Sequence, residues 1–145
     1  MKRSMMMVLA ASMVMVVFAP APSAQAHGSC SYNVLRPAIE GNLFSHLYGT
    51  ANYNCTEGHA KLSIRVELQM RFGVDTIACC TTSNSKDQAR NISATADHAC
   101  AIGAPPINFY WRTHLIYARA RAANGDLLHS VNDKYSGWWP FQGCS

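Results

Sequence analysis

From Lys61 to Phe72 the chain reads KLSIRVELQMRF. Leu62, Ile64, Val66, Leu68, Met70 and Phe72 alternate with Lys61, Ser63, Arg65, Glu67, Gln69 and Arg71. A period of two gathers the apolar residues on one face of a strand, whereas a helix would scatter them around its circumference. The pattern predicts a strand with Val66 and Leu68 in a core and Glu67 in water. A second long strand is predicted from INFYWRTHLIYARARA, with Phe109, Trp111, Leu115 and Tyr117 on one side and Asn108, Tyr110, Arg112 and His114 on the other. Asn124-Gly125 comes next, the strongest short signal for a hairpin turn, and the return strand is placed at Leu127 to Val131.

Weaker strand patterns cover Leu47 to Tyr53, Val74 to Thr81 and Ile92 to His98. The polar stretch TTSNSKDQAR between the last two reads as a loop. Pro105 and Pro106 lack backbone donors, so GAPPI is expected to carry the chain between sheets. Residues 27–47 read as an irregular N-terminal segment, in which Ala38 to His46 fits either one helical turn or a loose strand. Asp133 to Ser145 reads as a short strand or an extended tail. Short strands separated by turns, with no long helical period, predict an all-β fold. Its expected form is a small antiparallel β-sandwich, immunoglobulin-like and stabilised by disulfides.

The first 26 residues change the picture of where the chain works. Lys2 and Arg3 precede an uncharged apolar run from Met5 to Ala19. Pro20 and Pro22 break it, and Ala24-Gln25-Ala26 offers a peptidase site. This is the layout of a secretory signal, too short to be read as a membrane span of roughly 20 residues. Residues 1–26 are therefore expected to be removed. Residues 27–145 are expected to form one domain, secreted and extracellular, with no membrane contact after cleavage. The formal net charge of the whole chain is +4, and two of those positive charges are Lys2 and Arg3. The remainder is too small and too scattered to mark a nucleic-acid partner.

All six cysteines, Cys30, Cys55, Cys79, Cys80, Cys100 and Cys144, lie beyond the signal. An even number in an exported chain reads as three disulfides. Neighbouring side chains of an extended strand point to opposite faces, so Cys79 and Cys80 are expected to reach different partners. The expected pairing is Cys80–Cys100, Cys55–Cys144 and Cys30–Cys79.

The order of features is a cysteine, the strand LSIRVELQ, a polar cysteine-bounded loop, then YWRTHLIYARARAANGDLLHS and a final Ser-Gly-aromatic stretch ending in cysteine. Over Tyr48 to Cys144 this resembles small exported disulfide-bonded β-sandwich proteins of actinobacteria, most of which have no assigned function. The adjacent Cys79-Cys80 and the extra Cys30 depart from that pattern. The resemblance implies the fold and export, and no catalytic residue.

For chemistry, the C-terminal stretch KYSGWWPF is the densest signal. Tyr135, Trp138, Trp139 and Phe141 crowd into seven residues. Adjacent tryptophans in a strand face opposite ways, so one can fill the core while the other is exposed or covered. Exposed aromatic rings stack on sugars and anchor protein interfaces. The expected function is accordingly a non-enzymatic binding or adaptor protein recognising another extracellular protein or a surface glycan, with no cofactor. The alternative is a copper-dependent oxidative enzyme. Cleavage after Ala26 would expose His27 as an N-terminal histidine, whose amine and imidazole chelate Cu(II) with one further imidazole. His46, His59, His98, His114 and His129 are the candidates for that third nitrogen. The opening HGS resembles the start of bacterial lytic polysaccharide monooxygenases over three residues. No acidic residue is evidently placed to complete a serine triad with His129 and Ser130, and the eight acids mostly suit turns and strand faces.

Overall fold

The computed structural model describes residues 28–40, 46–100, 108–142 and 144. The expected signal, His27 and the GAPPI segment lie outside these residues. Among the described residues seven strands run in order: β1 (Cys30–Val34), β2 (Ala38–Glu40), β3 (His46–Phe72), β4 (Asp75–Ala99), β5 (Asn108–Arg121), β6 (Leu127–Tyr135) and β7 (Trp139–Gln142). All the pairings are antiparallel and belong to one hydrogen-bonded sheet. The all-β class expected from the sequence is therefore present. Instead of the two separate sheets of an immunoglobulin-like sandwich, the described residues form a single sheet curled into a half-barrel.

The curl comes from β3. Twenty-seven residues of straight strand would span about 90 Å, far more than a domain of this size can cover. Between Asn54 and His59 the register with β4 shifts, so that several β3 residues stand opposite Arg90 alone. The extra residues bend the strand, as bulges do. They also switch which residues point inward. Leu47, Ala51 and Tyr53 are buried before the bend, and Leu62, Ile64, Val66 and Leu68 after it. One arm of the hairpin thus folds back over the other with apolar faces together. A Cβ placed on Gly49 would lie 2.7 Å from Leu68 Cδ2 and 3.0 Å from Thr113 Oγ1, which measures how closely the arms approach. Trp111, Leu115, Ala118 and Ala120 of β5 complete the core.

The alternation of Leu62 to Leu68 matches the core face expected of it. Other expectations need correction. TTSNSKDQAR is not a loop but the exposed middle of β4, which turns back from β3 through Gly73, at φ 63°. Its polar residues Asn84 and Lys86 pair in register with Ile64 and Leu62 at the sheet edge, beyond the packed core. Inward-pointing polar groups also block edge-to-edge pairing with other chains. In β5 the register shifts opposite Arg65 and Val66, which are paired with Tyr117 and Leu115. Tyr117 is thereby turned away from the side that holds Trp111 and lies under Arg119. The Asn124-Gly125 hairpin is present, with Gly125 at φ 90°, and its return strand runs on to Tyr135. Part of the segment read as irregular forms β1 and β2.

The six cysteines are all oxidised, but none of the expected pairs forms. The bonds are Cys30–Cys55, Cys79–Cys80 and Cys100–Cys144. Cys30 and Cys55 stand directly opposite each other where β1 pairs with β3. Cys79 and Cys80 do not reach different partners as expected, because they do not sit in regular strand. Leu68 pairs with Cys80 and Gln69 with Ala78, leaving Cys79 as a bulge residue. The bulge brings both sulfurs to one side. In the chain-entropy account the 25-residue and 44-residue separations contribute about 3.5 and 4 kcal/mol respectively. A bond between neighbours closes no such loop, so the Cys79–Cys80 disulfide adds nothing of this kind.

Candidate functional site

The four aromatic residues singled out in the sequence lie on β6, β7 and the turn joining them, but they form two groups. The turn is fixed by Ser136. Its backbone N–H donates to Thr113 O at 2.9 Å, and its hydroxyl accepts from Thr113 N–H at 2.9 Å. Tyr135 and Trp138 are thereby held over the outer face of β5.

In the first group the Tyr135 ring stacks on His114, centroids 4.3 Å apart. The Arg112 guanidinium lies 4.0 Å from the Tyr135 ring centroid and 4.4 Å from that of Trp138. Arg112 Nε donates to Gln69 Oε1 at 2.8 Å. His114 Nδ1 faces Glu67 Oε1 at 2.7 Å and its Nε2 faces Asp133 Oδ1 at 3.1 Å. Asp133 has φ 50°, a left-handed conformation that aspartate tolerates better than most residues. This face was expected to be wet. Instead Gln69 and His114 are buried, and the Glu67 side chain is only 12 % exposed. With a carboxylate at each ring nitrogen, His114 has no free nitrogen to serve as base for a hydroxyl nucleophile.

The second group is open to solvent. β2 and the turn before it meet β7 across a cleft of about 290 Å³ lined by Arg36, Pro37, Ile39, Trp139, Pro140 and Phe141. The Arg36 guanidinium stands 4.9 Å from the Trp139 ring centroid. Trp139 and Ile39 are each 40 % exposed, while Phe141 turns toward the core. Neither Trp138 nor Trp139 fills the interior; Trp111 does, donating its indole N–H to Cys144 O at 2.9 Å. Arg36, Pro37, Ile39 and Arg112 were not singled out in the sequence. Their clue was the Arg-Pro dipeptide and the wet-face position of Arg112, neither of which says what lies across the fold.

Among the described residues, sulfur and imidazole meet in two places. Cys79, Cys80 and His98 form one group, and Cys30, His59 and His129 the other. His46 is paired with Asp97 at 3.0 Å. His129 Nε2 is buried and has no hydrogen-bond partner among the described residues. His27 itself lies outside the described residues. No known protein-family model matches this chain, and no curated protein is significantly similar to it.

Proposed function

We propose that this chain is a secreted, non-enzymatic binding protein whose curled sheet serves, like an immunoglobulin-like sandwich, as a rigid scaffold for the Arg36–Trp139 cleft. The cleft takes a segment of another extracellular protein or a surface glycan. One observation carries the reading. An indole, a guanidinium and two prolines converge on one open surface, a combination that stacks on a sugar face or on a proline-rich or aromatic peptide. Among the described residues, those lining the cleft carry no carboxylate, imidazole, thiol or hydroxyl. Acid–base and nucleophilic catalysis need such groups. Export rests on the N-terminal leader and fits the three disulfides. Among the described residues no helix is long and apolar enough to cross a membrane.

The test is capture from the producer's culture medium, and from an immobilised glycan panel, by the oxidised protein and by Trp139→Ala and Arg36→Ala. Capture that both substitutions abolish supports the cleft. Capture equal in all three proteins places recognition elsewhere. A peptide and a glycan are told apart by which of the two sources yields the ligand.

A second reading, copper bound at His27, is favoured by one feature. His59 and the Nε2 of His129, which has no hydrogen-bond partner among the described residues, lie beside Cys30, three residues along the chain from His27. Copper-loaded protein with reductant and chitin or cellulose should release oxidised oligosaccharides under this reading, and His27→Ala should not.

A further inference from the structure

We infer that Cys79, Cys80 and His98 form a metal site gated by redox state, closed while the disulfide is intact and opened when a dithiol reduces it. The structural role of the other two disulfides leaves this one without a purpose in the fold. It closes no chain loop, and it lies where the solvent reaches it. Cys79 is exposed and Cys80 half-buried, whereas each of the other two bonds joins a half-buried cysteine, Cys30 or Cys100, to a buried one, Cys55 at 9 % or Cys144 at 1 % exposure. A soluble reductant therefore meets the Cys79–Cys80 bond first.

The imidazole is already placed. His98 Nδ1 lies 3.2 Å from Cys79 Sγ and 3.6 Å from Cys80 Sγ. A tetrahedral ion with bonds of about 2.3 Å to sulfur and about 2.1 Å to nitrogen sets its sulfur and nitrogen ligands about 3.6 Å apart. The two observed separations are within a few tenths of an ångström of that. The ring is held by packing against Trp111, centroids 4.9 Å apart. Cys79 and Cys80 belong to one arm of the curled β4 and His98 to the other, so the ligand set spans the fold. The change needed is in the sulfurs, which must separate to about 3.8 Å to occupy two corners of the same tetrahedron.

The chemistry balances as a thiol–disulfide exchange and then binding. A dithiol thiolate attacks one sulfur, the S–S bond breaks, and the mixed disulfide is resolved by the reductant's second thiol. Two electrons and two protons pass to Cys79 and Cys80, and the dithiol leaves as its own disulfide. Binding of a divalent ion then releases the two thiol protons, because thiolate is the ligand. Two thiolates and an imidazole suit a borderline or soft cation such as Zn(II) and leave a fourth position open.

The experiment reduces the full mature protein with a dithiol, removes the reductant anaerobically and titrates with Co(II) as a spectroscopic probe. Mass mapping of alkylated thiols should place them at Cys79 and Cys80, with the other two disulfides intact. One equivalent of Co(II) should then give a thiolate-to-metal charge-transfer band with intense tetrahedral d–d bands, displaced by Zn(II). His98→Gln should weaken Co(II) binding at least about tenfold. Wild-type protein alkylated at Cys79 and Cys80 should give no band, a control that does not depend on any variant folding. The inference is overturned if reduction opens Cys30–Cys55 or Cys100–Cys144 first. It is equally overturned if the reduced protein gives no charge-transfer band, or if His98→Gln binds Co(II) as tightly as wild type.

Discussion

Gly49→Ala tests the curl of the sheet directly. The added methyl would lie 2.7 Å from Leu68 Cδ2, 3.0 Å from Leu68 Cγ and 3.0 Å from Thr113 Oγ1. Leu68 and Thr113 are both fully buried, so neither can swing into solvent to make room. The arms must separate or the leucine must leave its rotamer. Overpacking of this kind costs about 1–3 kcal/mol. For a domain of this size that lowers the midpoint of thermal unfolding by about 3–15 °C. Gly58→Ala is the matched control, because its Cβ would meet Arg90 Cγ alone, at 3.9 Å. There the loss of unfolded-state freedom should stabilise by about 0.4–1 kcal/mol. Both variants are melted with disulfides intact and monitored by circular dichroism. Equal stability of the two would refute the packing of the N-terminal arm of β3 over Leu68.

Glu67→Ala should destabilise by about 1–3 kcal/mol in urea unfolding, because it removes the carboxylate that His114 Nδ1 and the Gln69 amide share in a buried network, whereas Arg65→Ala on the exposed part of the same strand should stay within about 0.5 kcal/mol. Tyr53→Phe should stabilise by about 1 kcal/mol or more, since the Tyr53 hydroxyl is buried with no partner among the described residues. Burial also pushes the Tyr53 hydroxyl above its ordinary pKa of 10.0, so the unfolded chain loses that proton first. Stability should therefore fall as pH rises above 10, and the fall should be smaller in Tyr53→Phe; identical alkaline profiles would count against the burial of this ring.

The strands were legible where one face is apolar over many residues. Leu62 to Leu68 could be read because every second side chain is covered. The middle of β4 could not, because Asn84 and Lys86 lie past the edge of the core, where backbone pairing continues without an apolar face to report it. The bulges at Asn54–His59, at Cys79 and before Tyr117 are register events, decided by what the partner strand requires. Each reverses the facing of the residues beyond it or gathers neighbours on one side, and that undid the disulfide pairing and the placement of Tyr117. The aromatic cluster at Tyr135 to Phe141 was visible as composition. Its division into a supported stack and an open cleft depends on Arg112 and Arg36, which come from β5 and the turn before β2.

The cleft also depends on the curl. Arg36, Pro37 and Ile39 precede or belong to β2, which pairs with β3 before its bend, at His46 to Tyr48. Trp139 and Phe141 belong to β7, which pairs with β5, and β5 pairs with β3 after its bend. The two walls of the cleft therefore ride on opposite arms, and its width depends on how closely the arms are held. Cys100–Cys144 ties the end of β4, on the first arm, to the tail beyond β7, on the second. Replacing both cysteines by serine should remove about 4 kcal/mol of stability in the chain-entropy account. It should also loosen the Arg36–Trp139 contact. With Trp111 and Trp138 replaced by phenylalanine, Trp139 fluorescence should become more accessible to a neutral quencher in the serine variant than in its disulfide-bonded counterpart, at a temperature where both remain folded. Replacing Cys30 and Cys55 by serine should leave Trp139 unaffected at comparable loss of stability, because that bond joins β1 to the same arm of β3. Equal quenching in the two disulfide variants would mean that the cleft walls do not move with the arms.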